Sequence, residues 1–168
     1  MHRLIASCLT GLALLSVIPA RVVAQTIPSG CDSIAGVPAT YAIDYQQDIQ
    51  PIFSFGCANC HVDSAGDPEA DLDLDPDPSW FNLVDVNSSQ DASQIRVIAG
   101  DALRSLLFRK VNCDVPGPGP DSQRMPQNRP DLQLADQALI YDWIMAGAPN
   151  GPTDTLFYNS FELRGFVP

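Results

Sequence analysis

Hydrophobic positions form a few short clusters along the chain, and long polar stretches separate them. In the first cluster, Ile49, Ile52 and Phe53 recur at the spacing of one helix face, so the pattern predicts a helix. Asp44 is placed to cap the start of this helix, and Pro51 is expected either to kink it or to lie in its first turn. The predicted helix leads directly into a pair of cysteines.

Three later clusters also predict helices, within residues 78–86, 95–111 and 132–148. Asp101 is expected to cap the second, and the third is expected to be amphipathic and to end near Gly147. An acidic loop and a proline-rich loop lie between the clusters, and little of the pattern alternates as a strand does. The predicted fold class is mainly α, a small helical domain with long loops. Such loops need an internal support, which a buried prosthetic group would supply.

The first 24 residues differ from the rest of the chain. Arg3 precedes an apolar run, and Ala24 ends a stretch suited to cleavage, so residues 1–24 are predicted to be a secretory signal peptide. The alternative is a membrane anchor, but the run is short for a spanning helix and no second hydrophobic segment follows it in the sequence. The mature protein is expected to be periplasmic or secreted, without a stable membrane span.

Acidic residues dominate the charge of the chain. Its 168 residues include 20 Asp and Glu against 9 Lys and Arg. Cleavage of the signal peptide removes Arg3 and Arg21 and no acidic residue, which moves the net charge from −11 to −13. A surface this acidic repels nucleic acid and anionic lipid, so neither is an expected partner.

The sequence FGCANCHVD separates Cys57 from Cys60 by two residues and places His61 directly after the second cysteine. A structural zinc site would need further ligands, but Cys31 and Cys113 are single and distant. A thioredoxin-like redox pair is expected near a βαβ pattern, and a structural disulfide gives the histidine no role. Covalent haem attachment uses this spacing, because both thiols bond to the haem edge and the imidazole turns onto the iron. Haem c is the predicted cofactor.

The opposite face of such an iron has several candidate ligands. His61 is the only histidine outside the predicted signal peptide, so a second histidine ligand from the mature chain is excluded. The candidates are Met125, Met145, Lys110 or no protein ligand. Met125 is preferred, because it lies in a loop stiffened by Pro126, whereas a methionine on the last helix usually packs in a core. Coordination by His61 and Met125 would raise the reduction potential and fill both faces of the iron.

Five stretches of the chain together resemble a monohaem c-type cytochrome domain of the loop-rich, planctomycete type, over most of residues 44–148. They are DIQPIFSFGCANCH, LDLDPDPSWFNLVDV, VIAGDALRSLLFRKV, RMP and LQLADQALIYDWIMAGA. The resemblance implies a cytochrome c-like helical fold wrapped around one covalent haem. It implies that Cys57 and Cys60 attach the haem, that His61 is the proximal iron ligand and that Met125 is the distal one.

After the signal peptide we expect an N-terminal arm at 25–43, then the haem domain at 44–149 and a C-terminal tail at 150–168. The resemblance says nothing about Cys31 and Cys113. Because disulfides persist in exported proteins, we expect these two cysteines to form one that pins the arm near the proposed distal ligand. The alternative is two unpaired thiols.

The predicted function is the transfer of single electrons between redox protein partners, which could present basic docking faces. The sequence contains no Ser–His pair, proton-transfer constellation or second haem motif, so an electron carrier is preferred to an enzyme. Two alternatives stay open. One is a haem enzyme or small-ligand sensor with a labile sixth ligand, and the other is a secreted binding module with a sorting or docking tail.

Overall fold

Short helices joined by long loops make up the protein in the computed structural model, which describes residues 27–117 and 123–153. The predicted signal peptide and most of the predicted tail lie outside these residues. Within them no strand forms, and only isolated bridges pair extended segments, so the prediction of a mainly α fold is confirmed. The helical elements are a π-helical turn at Tyr45–Ile49, α1 at Gln50–Gly56, α2 at Ser79–Leu83, α3 at Leu106–Asn112 and α4 at Leu134–Met145, with 3₁₀ turns at Asp63–Ala65 and Glu69–Asp71.

Helix α1 and the π-helical turn before it form the helix that the apolar spacing predicts. Asp44 caps the turn, since its carboxylate accepts a hydrogen bond from the backbone N–H of Gln47 at 3.0 Å. Pro51 lies in the first turn of α1, where a missing N–H costs no helical hydrogen bond. Ile49 and Phe53 are fully buried, so the predicted apolar face is the one that packs on the core.

Helix α3 begins later than the sequence predicts. The side chain of Asp101 accepts from the N–H of Arg104 at 3.1 Å and so caps a separate turn before the helix. α3 itself starts at Leu106. The N–H of Leu107 donates to the carbonyl of Arg96 at 2.9 Å, so a distant segment, rather than an Asp101 cap, satisfies the start of the helix.

Helix α4 is buried on nearly all sides, which corrects the prediction of an amphipathic helix. Residues 140–145 are all buried, so the second half of the helix has no solvent-facing side. Trp143 lies in this half, with its ring centroid 5.2 Å from that of Tyr45 in the π-helical turn. Gly147 follows with a φ of 95°, so the predicted helix end near this glycine is confirmed.

The hydrophobic core lies between the π-helical turn, α3 and α4. Its largest fully buried side chains are Trp143, Tyr45, Phe53 and Phe108. The ring of Phe108 on α3 meets that of Tyr141 on α4 edge-on, with 5.2 Å between the centroids. Among the helices of the described residues, none has the length and apolar character that a membrane crossing requires.

A disulfide joins Cys31 to Cys113 and confirms the predicted pairing, with the two sulfur atoms 2.06 Å apart. It links positions 82 residues apart and fastens the N-terminal arm to the end of α3. Next to this bond, the N–H of Asp32 donates to the carbonyl of Asn112 at 2.9 Å. The arm is therefore attached to the helical core by covalent and hydrogen bonds together.

Candidate functional site

Residues 57–61, which we call the cysteine turn, form a tight turn at the end of α1. The N–H of Cys57 donates to the carbonyl of Phe53 at 2.8 Å and closes the helix. The N–H groups of Cys60 and His61 both donate to the carbonyl of Cys57, at 3.2 and 3.1 Å. The Cys60 thiol is close enough to the Cys57 thiol to act on its pKa, and Cys60 directly precedes the imidazole of His61.

Within the described residues, neither cysteine of this turn is in a disulfide; Cys57 is half-buried and Cys60 is exposed. Burial raises the pKa of the Cys57 thiol to about 11, against a smaller opposing effect of the Arg129 charge. At neutral pH this thiol is protonated, whereas thioredoxin-like sites need a thiol of lowered pKa. The disulfide between Cys31 and Cys113 leaves no further cysteine among the described residues for a zinc site.

The backbone holds the ring of His61 in one orientation. Its Nδ1 lies 2.9 Å from the carbonyl oxygen of Glu69. Because a carbonyl can only accept, Nδ1 carries the proton, and Nε2 has the lone pair that can bind a metal. Burial lowers the pKa of His61, against the opposing effect of the Glu69 contact, so the neutral form is favoured. Metal-ligating histidines usually have their second nitrogen hydrogen-bonded in this way.

The loop that carries Glu69 folds back onto the cysteine turn. The N–H of Glu69 donates to the carbonyl of Cys60 at 2.8 Å, and the N–H of Leu74 donates to the carbonyl of His61 at 2.6 Å. The contact between the imidazole and Glu69 is therefore one of three hydrogen bonds that join the loop to the turn.

Arg96 holds the same loop from another side, a role that the sequence does not reveal. Its side chain is buried and donates to the carbonyls of Ala70 and Asp71, at 3.0 Å each, and of Asn82 at 2.8 Å. Ala70 and Asp71 have φ values of 61° and 49°, which L residues rarely adopt, so the guanidinium stabilises a strained turn beside Glu69. In the sequence, the only sign is one charge inside the apolar run IRVIAG, which indicates a buried partner without naming it.

Residues 123–133, which we call the methionine loop, are attached to the end of α3. The N–H of Met125 donates to the carbonyl of Lys110 at 2.7 Å, and the peptide bond between Met125 and Pro126 is cis. The charge of Lys110 is close enough to His61 to contribute to the lowering of its pKa. Lys110 is therefore linked to both predicted axial ligands, since its carbonyl is bonded to Met125 and its charge acts on His61.

Two contacts bring the methionine loop against the end of α1. Nη1 of Arg129 donates to the carbonyls of Phe55 and Gly56, at 3.4 Å each, across 74 and 73 positions of sequence. The side chain of Leu132 packs on Gly56, where a Cβ would lie 3.3 Å from its Cδ2. The structure thus places the methionine loop beside the residues that lead into the cysteine turn.

The other candidate methionine, Met145, belongs to the core. It is buried in α4, and its sulfur accepts from the N–H of Ala102 at 3.4 Å. Lys110 is half-buried at the end of α3, where its carbonyl supports Met125. Of the two methionines, the one preferred from the sequence is the one whose loop lies beside the cysteine turn.

The residues at this site fit haem c by the chemistry of their donor atoms. Cys57 and Cys60 offer two thiols from one turn, His61 offers Nε2, and the half-buried Met125 offers a thioether. Phe55, two residues before the first cysteine, has 84 % of its surface exposed, which is apolar surface that a prosthetic group could cover. Across residues 27–117 and 123–153, no three His, Cys, Asp or Glu side chains are grouped to hold a metal ion by themselves.

Comparisons with models of protein families, with curated proteins and with solved structures find no match to this chain. The resemblance to planctomycete-type cytochromes c therefore stays a prediction from the sequence. The structure adds the geometry of the cysteine turn and the position of the methionine loop.

Proposed function

We propose that the protein is an exported monohaem c-type cytochrome that carries single electrons between redox partners. The observation that carries the proposal is the cysteine turn, in which two thiols and an imidazole follow one another. The imidazole donates from Nδ1 to the carbonyl of Glu69, so Nε2 is the nitrogen available to an iron. The C-x-x-C-H spacing supports haem attachment, and this hydrogen bond supports the role of His61 as a ligand.

Each residue of the site has a separate role in this proposal. Cys57 and Cys60 would attach the haem, and His61 and Met125 would supply the protein ligands of its iron. When bound, the haem supplies the one-electron chemistry of its iron. Burial favours the neutral form of His61, and the Glu69 carbonyl orients its ring. The hydrogen bonds of the methionine loop to α1 and α3 support Met125 as the second iron ligand.

An electron carrier differs from a haem enzyme or a ligand sensor in that the protein provides the sixth ligand of the iron. Two protein ligands would leave no open position on the iron for peroxide or oxygen, which suits the exchange of single electrons. The hydrogen bonds of the methionine loop to Lys110 and to the end of α1 support such a ligand. We expect cyanide to bind the oxidised protein slowly, and fast binding would favour the enzyme or sensor.

Negative charge beside the proposed haem supports partners with basic docking faces. Between residues 62 and 78 the chain carries seven acidic and no basic side chains, and this loop folds onto the cysteine turn. Opposite charges steer two proteins into productive encounters and help to select the partner. The proposed place of action is the periplasm or the cell exterior, which follows from the predicted signal peptide.

The haem content of two matched variants tests the proposal. Cys57→Ala/Cys60→Ala removes both thiols and is expected to abolish covalent haem. Asn59→Ala changes an exposed residue of the same turn and is expected to keep full haem content. A haem stain after denaturing electrophoresis measures attachment, and an immunoblot of the same gel measures exported protein. Covalent haem at the normal level in the double variant would contradict the proposal.

A further inference from the structure

Arg124, the residue before Met125, is surrounded by carboxylates. Its side chain is only 13 % exposed. It forms ion pairs with Asp32, with Asp114 at 3.3 Å and with Asp131 at 3.2 Å, and the contact with Asp32 is the closest. A guanidinium this buried needs such partners, because an unpaired charge out of water is costly.

The partners of Arg124 come from different parts of the chain. Asp32 is on the N-terminal arm, Asp114 directly follows the disulfide cysteine at the end of α3, and Asp131 lies in the methionine loop. Nη2 of Arg124 also donates to the carbonyl of Val111 in α3 at 3.3 Å. One side chain therefore ties the methionine loop both to the arm and to α3.

Asp32 is itself fixed by a polar network. Nε2 of Gln137 on α4 donates to its carboxylate at 3.0 Å, and Nδ2 of Asn112 on α3 donates to its backbone carbonyl at 3.0 Å. The hydrogen bonds from Arg124 and then from Gln137 hold the pKa of Asp32 below its usual range, so it is ionised at neutral pH. The neighbouring Cys31 is anchored by the disulfide.

We propose that Arg124 and Asp32 form a latch that positions Met125 as the sixth ligand. The inference rests on the proposed haem function, and it makes the N-terminal arm and its disulfide part of the ligand site. Arg124 is a positioning residue, because it acts through Met125. A thioether is an uncharged and weak ligand, so the fraction of molecules in which it is bound depends on how firmly its loop is held.

Hydrogen exchange at two backbone amides distinguishes the loss of the latch from a loss of global stability. The N–H of Met125 donates to the carbonyl of Lys110 at 2.7 Å, and the N–H of the fully buried Val97 donates to the carbonyl of Leu83 at 3.0 Å. Opening of the latch raises hydrogen exchange at Met125 alone, whereas a loss of global stability raises it at both amides.

The test uses Arg124→Gln, Asp32→Asn and the conservative Arg124→Lys, with Arg104→Gln as the matched control. Arg104 also pairs with an aspartate, Asp101, but 76 % of its side chain is exposed. Amide exchange is measured by NMR in the full mature chain. The charge-transfer band of methionine–iron coordination is measured in the oxidised haem protein.

We expect Arg124→Gln and Asp32→Asn to raise exchange at Met125 relative to Val97 by about ten- to one-hundred-fold, the range that the loss of one charge-assisted hydrogen bond allows. The same two variants should weaken the methionine–iron band. Arg124→Lys should restore part of both signals, because it keeps the charge but not the forked donor. Arg104→Gln should change neither.

Three results would overturn the latch: no rise in Met125 exchange, an equal rise at Val97, or a rise at Met125 with an intact methionine–iron band. If Arg124→Gln does not fold, Asp32→Asn supplies the test, because asparagine keeps an acceptor for Gln137 and removes only the charge. Failure of the proposed function can be distinguished from failure of the latch. A wild-type protein without covalent haem would refute that function, while the amide comparison would still test whether Arg124 and Asp32 hold the methionine loop.

Discussion

At the scale of single residues, the site depends on groups whose protonation is set by their surroundings. Cys57 is a neutral thiol and His61 a neutral imidazole because both are partly withdrawn from water. Arg96 and Arg124 are largely buried cations, and oxygen atoms of loops beside the predicted ligands surround each of them. Arg96 supports the turn beside Glu69, and Arg124 supports the methionine loop.

Arg96→Gln is expected to lower the free energy of unfolding by about 2–4 kcal/mol, because buried carbonyls lose a charged donor and a strained turn loses its support. Arg104→Gln, which breaks the exposed ion pair with Asp101, is the comparison. It should lower the free energy of unfolding by less than about 1 kcal/mol. Urea unfolding followed by circular dichroism measures both. Equal losses in the two variants would show that burial of Arg96 has no energetic consequence.

The pKa of about 11 at Cys57 predicts slow alkylation in protein that lacks haem. Only the thiolate reacts, so the rate should rise about tenfold for each pH unit between about pH 8 and pH 10. Cys60→Ala isolates the reaction of Cys57, and mass spectrometry after iodoacetamide treatment gives its rate. A rate that levels off near the usual thiol pKa of 9.0 would contradict the role of burial.

At the scale of elements, the sequence predicted helices correctly where local patterns decide, and erred where tertiary contacts decide. Asp44 and Pro51 act on α1 through neighbouring residues, so both could be interpreted from the sequence. The start of α3 depends on a hydrogen bond from Leu107 to the distant Arg96. The burial of the second half of α4 depends on its contacts with the arm, α3 and the π-helical turn, which no periodicity records.

Some residues of the candidate site could likewise be identified from the sequence, and others could not. Cys57, Cys60 and His61 could be identified because their spacing in one turn carries the chemistry. Arg96 and Arg124 could not, because an isolated arginine gives no indication of which distant carbonyls or carboxylates will surround it. The contacts of the methionine loop with α1 likewise join segments more than 70 positions apart.

Asp44→Ala tests the cap that begins the first helical element. The variant is expected to lower the free energy of unfolding by about 1 kcal/mol, since the N–H of Gln47 loses its acceptor. Asp44→Asn should keep most of that stability, because asparagine is an equally good cap. Thermal unfolding of the two variants separates the cap from the charge, and equal destabilisation by both would contradict capping.

At the scale of the whole molecule, two loops from distant parts of the chain are bonded at the end of α1, where the candidate site lies. The acidic loop is bonded to the cysteine turn, and the methionine loop is bonded to α1, α3 and the N-terminal arm. The disulfide between Cys31 and Cys113 anchors that arm. A small helical core therefore supports a site made mainly by loops.

Removing the disulfide with Cys31→Ser/Cys113→Ser should lower the free energy of unfolding by about 2–4 kcal/mol, because the unfolded chain is no longer confined. Urea unfolding of the variant measures this change, and wild-type protein unfolded with a reducing agent is the control that should match it. A difference below about 0.5 kcal/mol would show that the bond adds little to the hydrogen bonds beside it.

The central claim is that Cys57 and Cys60 carry one covalent haem. A pyridine haemochrome spectrum of the purified mature protein, recorded after extraction of loosely held haem with acidified acetone, tests it most directly. We predict a c-type spectrum with one haem per chain that stays with the protein. A chain without haem, or haem that leaves with the solvent, would contradict the claim.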